Sequence, residues 1–220
     1  MKIWIIIPAY NEAQLLECLL RKLKEKNLPI IVIDDGSKDN TFEIAKGSAN
    51  VVIRNERNLG KGTSLKEAIS YLLKKEEFDY VITMDADGQH APCDIDRFLK
   101  EAENGEHFVV GNRMDNPENM PKIRVVTNKL MSFLISQIIG QKIPDTQCGY
   151  RLIKREVLEA IVIKTTKFEI ESEILIRAAK RGFPIKSIPI ESIYSRKRKS
   201  KISPFMDTIR FIRFITSFKK

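Results

Sequence analysis

Val81-Ile82-Thr83-Met84-Asp85-Ala86-Asp87-Gly88-Gln89-His90 is a short apolar run that ends in two carboxylates one residue apart, followed by glycine, an amide and an imidazole. If the run is a strand, these polar groups emerge at its carboxyl end, where open α/β sheets bind ligands. On an extended chain Asp85 and Asp87 point to the same side and Ala86 points away. Two such carboxylates can hold a hard divalent cation, Mg²⁺ or Mn²⁺, which in turn neutralises a diphosphate. An isolated Asp-x-Asp is more simply a pair of solvated loop acids. Its surroundings favour the chemical reading.

Three other apolar runs end in polar clusters of the same kind. Ile3–Ile7 is stopped by Pro8 and runs into Tyr10-Asn11-Glu12, Ile30–Ile33 ends in Asp34-Asp35-Gly36-Ser37, and Val51–Ile53 leads to Leu59-Gly60-Lys61-Gly62. Between them, Leu15, Leu16, Leu19, Leu20 and Leu23, the segment Thr41–Lys46, and Leu65, Ala68, Ile69 and Leu72 recur at helical spacing. Strands alternating with helices predict an α/β fold with a mostly parallel central sheet, built from right-handed crossovers and flanked by helices. In such a sheet the four polar ends converge on one edge. A nucleotide would find there a carboxylate for its base or ribose, a lysine and backbone near its phosphates, and a cation site. GxGxxG and GxxxxGK[ST] are both absent, which argues against a dinucleotide fold and a P-loop ATPase.

Phe108–Val110 is a further strand, with Gly111-Asn112-Arg113 at its end. Arg124 and Asn128 are four residues apart and share a helix face. Phe168 to about Arg181 forms another helix, stopped by Gly182, with Ile185–Ile190 and Ser192–Tyr194 as closing strands.

The four motifs in this order resemble the family 2 glycosyltransferases of GT-A fold. Gly111-Asn112-Arg113, Arg124 with Asn128, and Asp145-Thr146-Gln147-Cys148-Gly149-Tyr150-Arg151 resemble the branch of dolichol-phosphate mannose and glucose synthases. The resemblance spans about residues 3–200. It implies a metal-dependent, inverting transfer of a hexose, mannose or glucose, from a GDP- or UDP-sugar to a polyprenyl (dolichyl or undecaprenyl) phosphate. Pro8, Tyr10, Glu12 and Asp35 would surround the nucleoside, with Lys61 near the diphosphate. Asp87 would be the main metal ligand, helped by Asp85 and Gln89. Arg113 and Arg124, with Asn128 and the basic pair Arg196 and Lys201, would meet the acceptor phosphate, a task suited to the planar guanidinium fork. A phosphate monoester is already largely ionised at pH 7 and needs no general base. A hydroxyl acceptor, in glycolipid or polysaccharide synthesis, is the alternative; Asp145 or Glu171 would then be the base.

The net charge of +9 is concentrated in the last 25 residues. Arg196, Lys197, Arg198, Lys199, Lys201, Arg210, Arg213, Lys219 and Lys220 stand there against Asp207 alone. Residues 1–195 are expected to form the catalytic domain and 196–220 a basic amphipathic helix. After Ser203-Pro204, its apolar residues Phe205, Met206, Ile209, Phe211, Ile212, Phe214, Ile215 and Phe218 leave only a narrow polar stripe, as in an interfacial membrane helix. Docking of that face on the body or on a partner helix is the competing expectation. Its large aliphatics argue against nucleic acid. Cys18, Cys93 and Cys148 form no CxxC pair, which fits a reducing compartment. No apolar run reaches the length of a membrane span and none at the N-terminus resembles a leader. The expected location is cytoplasmic, peripheral on the inner face of the cell membrane.

Overall fold

The computed structural model describes residues 1–118, 120–167, 169–191, 193, 211, 214–216 and 218. The strands are β1 (Ile3–Ala9), β2 (Ile30–Asp34), β3 (Val51–Arg54), β4 (Tyr80–Thr83), β5 (Phe108–Asn112), β6 (Arg151–Lys154) and β7 (Ile185–Pro189). The helices are α1 (Ala13–Leu23), α2 (Thr41–Lys46), α3 (Lys61–Lys75), α4 (Ile95–Glu103), α5 (Lys122–Ile139), α6 (Arg155–Ala160) and α7 (Glu169–Lys180). One seven-stranded sheet has the order β3-β2-β1-β4-β6-β5-β7. All pairings are parallel except those of β6, which runs antiparallel to β4 and β5.

The strand order reverses at β1. The chain moves outward through β2 and β3, then returns to place β4 on the other side of β1. Right-handed crossovers therefore put α1 and α2 on one face and α3 on the other, where it packs on β1 and β2 beside α6 and α7. β1, β2 and β4 are buried along their length, as a sheet covered on both faces requires.

Pro8 does not stop the first strand; β1 continues through it to Ala9. Even-numbered residues of β1 direct their backbone groups toward β4, as the bond from Met84 N–H to the Ile6 carbonyl shows (3.0 Å). The β1–β4 ladder ends at Ile6 opposite Thr83. Pro8 thus lacks its N–H on the side where no partner strand remains, and costs the sheet no bond. From that point β1 and β4 diverge, which is the crevice where this class of sheet binds ligands.

β6 is absent from the expected strands and reverses the parallel pattern locally. Its direction has a consequence for the site: the segment Asp145–Tyr150, which precedes it, enters the sheet beside the carboxyl end of β4, with Arg151 opposite Thr83. Ile185–Pro189 agrees with the first of the two closing strands; Ser192 and Tyr194 of the second lie outside the described residues. Asp85 and Asp87 are not on a strand. β4 ends at Thr83 and residues 86–87 turn, with Asp87 Oδ1 accepting from Gln89 N–H (3.0 Å). Strand alternation therefore does not set the direction of these two side chains, and Asp87 is held by a side-chain-closed turn.

Candidate active site

The carboxyl ends of β1 and β2 are joined by short hydrogen bonds. Asp35 N–H donates to the Ala9 carbonyl (2.8 Å), Asn11 N–H to Ser37 Oγ (2.9 Å), and Glu12 N–H to Thr41 Oγ1 (2.9 Å). Asp35 also shapes the next loop. Its Oδ1 accepts from Asn55 Nδ2 (3.0 Å) and Leu59 N–H (2.9 Å), and its Oδ2 accepts from Gly60 N–H (2.8 Å). That loop delivers Lys61, the first residue of α3. Pro8, Tyr10, Glu12 and Asp35 thus lie at contiguous strand ends, with the Asp35 carboxylate engaged by the loop between β3 and α3. A cavity of about 400 Å³ lined by Gly36, Ser37, Arg54, Asn55 and Glu56 opens beside them.

Lys61 reaches two acids from distant parts of the chain. Its Nζ lies 2.5 Å from Asp85 Oδ1 and 2.7 Å from Glu171 Oε1 on α7. Burial works to depress the Lys61 ammonium, but the two carboxylates outweigh it and hold its pKa above the ordinary lysine value. Burial likewise works to raise Asp85, and the Lys61 charge prevails and holds it at about 2. Gly149 closes the trio from below. A Cβ there would sit 2.8 Å from Glu171 Oε1, 2.9 Å from Lys61 Nζ and 3.1 Å from Asp85 Oδ2, so only glycine leaves this space to the charged groups. Thr83 Oγ1 fixes Gly149 by donating to its carbonyl (2.7 Å).

His90 lies under the same turn. Asp85 N–H donates to His90 Nδ1 (3.1 Å), which makes the ring a neutral acceptor, and the ring stacks on Tyr150. Burial, with the charges of Arg113 and Lys61, depresses His90 to about 4. The imidazole therefore shapes the Asp85 turn and does not carry a proton at neutral pH.

Arg113 and Asp145 meet as a pair. Arg113 Nε donates to Asp145 Oδ2 (2.7 Å) and Nη2 to Oδ1 (3.0 Å), and both side chains are buried. Asp145, a candidate base in the sequence, has both oxygens engaged by the guanidinium that it orients. The two charges act on His90 in opposite directions, Arg113 lowering its pKa and Asp145 raising it. α5 lies alongside: Ser132 Oγ is 3.1 Å from Thr146 Oγ1, and Asn128, one turn earlier, is buried on the same face with Arg124 a further turn away. Arg196 and Lys201 lie outside the described residues.

Arg151 was given no role by its residue type and spacing, yet it organises the site. Fully buried, it donates from Nε to the Cys148 carbonyl (2.8 Å), from Nη2 to Thr146 (2.8 Å) and from Nη1 to Glu171 (2.5 Å). It thereby ties the segment before β6 to the start of α7. The available signal was an arginine beside the apolar pair Leu152-Ile153 in a strand that ends at Lys154.

The Asp85 turn also passes a chemical test for a divalent cation. Asp85, Asp87 and Gln89 offer only oxygen donors of the kind Mg²⁺ and Mn²⁺ prefer, and the Lys61 ammonium already sits against Asp85 as a cation would. Among the described residues no three acidic, histidine or cysteine side chains form a closed cage.

The family model "Glycosyl transferase family 2" matches residues 4–162. The UDP-N-acetylglucosamine–dolichyl-phosphate N-acetylglucosaminyltransferase of Methanococcus voltae is 34% identical over 219 residues, which cover 88% of this chain and 86% of that protein. The dolichol-phosphate mannosyltransferase of Pyrococcus furiosus is 32% identical over 191 residues, covering 80% of this chain and 53% of that longer protein. Among solved structures, glucosyl-3-phosphoglycerate synthase of Mycobacterium tuberculosis with Mn²⁺ and UDP-glucose superposes with a TM-score of 0.74, over 97% of this chain and 78% of that one. At 18% identity this likeness establishes the GT-A fold. With the family model covering most of its length and the Methanococcus voltae relative 34% identical over 88% of it, the chain belongs to glycosyltransferase family 2.

Proposed function

We propose that this glycosyltransferase moves a hexosyl unit from a GDP- or UDP-sugar to a polyprenyl phosphate, with inversion and without a general base. The observation that carries this reading is the state of its two candidate bases. Asp145 is saturated by Arg113, and Glu171 is paired with Lys61. A hydroxyl nucleophile would need one of them unpaired, whereas a phosphate oxygen arrives ionised. The named relatives support the acceptor class, since their own names specify dolichyl or dolichol phosphate.

On this reading Pro8, Tyr10, Glu12 and Asp35 bind the nucleoside, and Asp85, Asp87 and Gln89 hold Mg²⁺ or Mn²⁺. When bound, that cation supplies Lewis-acid stabilisation of the nucleoside diphosphate leaving group. Lys61 adds a second positive charge at the diphosphate. Arg113, held rigid by Asp145, orients the acceptor phosphate together with Arg124 and Asn128. The protein works at the cytoplasmic face of the membrane that contains its acceptor.

Radiolabelled GDP- and UDP-sugars, incubated with a short polyprenyl phosphate and Mn²⁺, test the reading. We expect lipid-linked product, lost by about 10²-fold or more in Asp87→Asn. Asp145→Asn should reduce transfer only as far as it loosens Arg113. Transfer to the free polyprenol but not to its phosphate would refute the proposal.

A further inference from the structure

Asp145–Arg151, the segment that leads into β6, is buried at every position but one. The exception is Gln147, which is half-buried between neighbours closed off from solvent. Its surroundings hold it still. The backbone N–H donates to Asp145 Oδ1 (3.3 Å), and Nε2 donates to Thr146 Oγ1 (3.2 Å) and Ser172 Oγ (3.4 Å). Thr146 is fixed in turn by Ser132 of α5, whose Oγ accepts from the Thr146 N–H (2.9 Å), and Ser172 is buried in α7. The amide is therefore braced between two helices, with both Nε2 protons in use. No hydrogen bond from another of the described residues reaches Oε1. Because the amide is already ordered, Oε1 can accept from a ligand with little further loss of side-chain freedom.

The position of Gln147 indicates which ligand group that is. On one side, Asp145 Oδ1 also accepts from Arg113 Nη2 (3.0 Å), in the pair assigned to the acceptor phosphate. On the other side, Ser172 follows Glu171, whose Oε1 lies 2.7 Å from Lys61 Nζ, and Gly149 stands against Lys61, Asp85 and Glu171 at the diphosphate end. An in-line displacement sets nucleophile, reacting carbon and leaving group in a row, so the hexose lies between these two ends. Ionised phosphate oxygens are acceptors and offer Oε1 nothing, whereas sugar hydroxyls are donors. We propose that Gln147 is a donor-sugar contact whose Oε1 accepts a hydrogen bond from one hydroxyl of the hexose, so that the site selects for a sugar that carries it.

This assignment rests on the polyprenyl phosphate reading for the place of the acceptor, and adds a residue that recognises the transferred group itself. A site built to bond a hydroxyl rejects the analogue without it, because the site's own polar group is then left unpaired. Gln147 keeps some solvent access, so its discrimination is that of a single hydrogen bond, about three- to tenfold.

Calorimetric titration of the full chain in Mn²⁺ tests the contact. A panel of GDP- and UDP-hexoses first identifies the donor that the wild type binds best. Its nucleoside diphosphate, the intact donor and its monodeoxy forms are then titrated into wild type and Gln147→Met, which keeps the length of the side chain without its polar atoms. The variant should bind the nucleoside diphosphate as the wild type does, and the intact donor about three- to tenfold less tightly. One monodeoxy donor should bind the wild type weaker by that same factor, yet bind the variant as well as the intact donor does. Equal weakening of diphosphate and donor in the variant would assign Gln147 a structural role and overturn the proposal. So would deoxy penalties that are the same in both proteins, or a wild type with no penalty for any deoxy donor. A deoxy penalty that vanishes in the variant, in a protein that glycosylates free polyprenol but not its phosphate, would uphold the sugar contact and reject the acceptor reading. Lipid-linked product from polyprenyl phosphate with unchanged deoxy penalties would do the reverse.

Discussion

Lys61 opposes two carboxylates that would otherwise face each other across Gly149. Lys61→Met should lower the stability of the metal-free protein by about 2 kcal/mol, less than the loss from breaking a fully buried pair because all three side chains retain some solvent access. The same substitution removes the cation that competes for Asp85. The rise in melting temperature produced by Mn²⁺ should therefore be larger in the variant than in the wild type, because a tighter ligand of the folded state stabilises more. Equal Mn²⁺ shifts would show that Lys61 does not occupy the cation's place.

Among elements, the loop from Lys164 to Lys167 depends on α7. Glu173 is buried in α7, where it accepts from Lys164 N–H (3.0 Å), Thr165 N–H (2.7 Å) and Thr165 Oγ1 (2.8 Å), and from Arg177 Nε (2.7 Å). The anchored loop then receives Thr63 N–H at the Thr166 carbonyl (3.0 Å) and passes so close to α3 that a Cβ on Gly62 would lie 2.3 Å from the Lys167 carbonyl oxygen. One carboxylate thus holds the start of the helix that presents Lys61. Burial works to raise the Glu173 pKa, but its four donors prevail and lower it below the ordinary glutamate value of 4.5. A lowered folded-state pKa means stability that is present above 4.5 and is lost as pH falls through the folded value. Urea unfolding should find Glu173→Gln about 2 kcal/mol less stable than wild type at pH 7, with the gap closing as the pH drops below that range. A gap independent of pH would assign the loss to packing.

At the scale of the whole molecule, part of the C-terminal segment belongs to the body. Phe211 and Ile215 are buried in the main core, with Phe214 and Phe218 packed against it. Phe218 lies beneath Arg177 (5.5 Å) and Lys180 (5.4 Å) of α7, and Lys180 Nζ donates to its carbonyl (3.0 Å). These four residues support the docking expectation for the tail over the interfacial one; the basic cluster 196–201 and the residues up to 210 lie outside the description. Among the described residues no helix is long and apolar enough to cross a membrane. Phe211→Ala should cost about 3 kcal/mol of unfolding free energy, the range for emptying a core aromatic site. Phe133→Ala on the exposed face of α5 should stay within about 0.5 kcal/mol of wild type. A stable Phe211→Ala protein would return the tail to the membrane reading.

What local sequence determined here is what backbone geometry makes periodic. Ile3–Ile7, Ile30–Ile33 and Val51–Ile53 announce strands, the first two buried and the third half-buried at the sheet edge. Leu16, Leu19, Leu20 and Leu23 announce a helix face, and parallel strands necessarily bring their polar ends to one edge. Asp85, Asp87, Asp35 and Lys61 could therefore be placed together from spacing and order. Tertiary structure decided the pairings between segments far apart in the chain. Glu171 is 110 residues from Lys61, and nothing near either residue specifies that they meet. β6 escaped because its four residues are too few for a period and Arg151 interrupts the apolar run; its antiparallel place depends on β4 and β5 offering ladders on both sides. Helical periodicity cannot distinguish an apolar face turned to lipid from one turned to protein. For Phe211 and Ile215 the core covers that face, whereas on α5 the stripe through Leu130 and Phe133 stays open because the buried side of the helix is already filled by Asn128, Ser132 and Ile135.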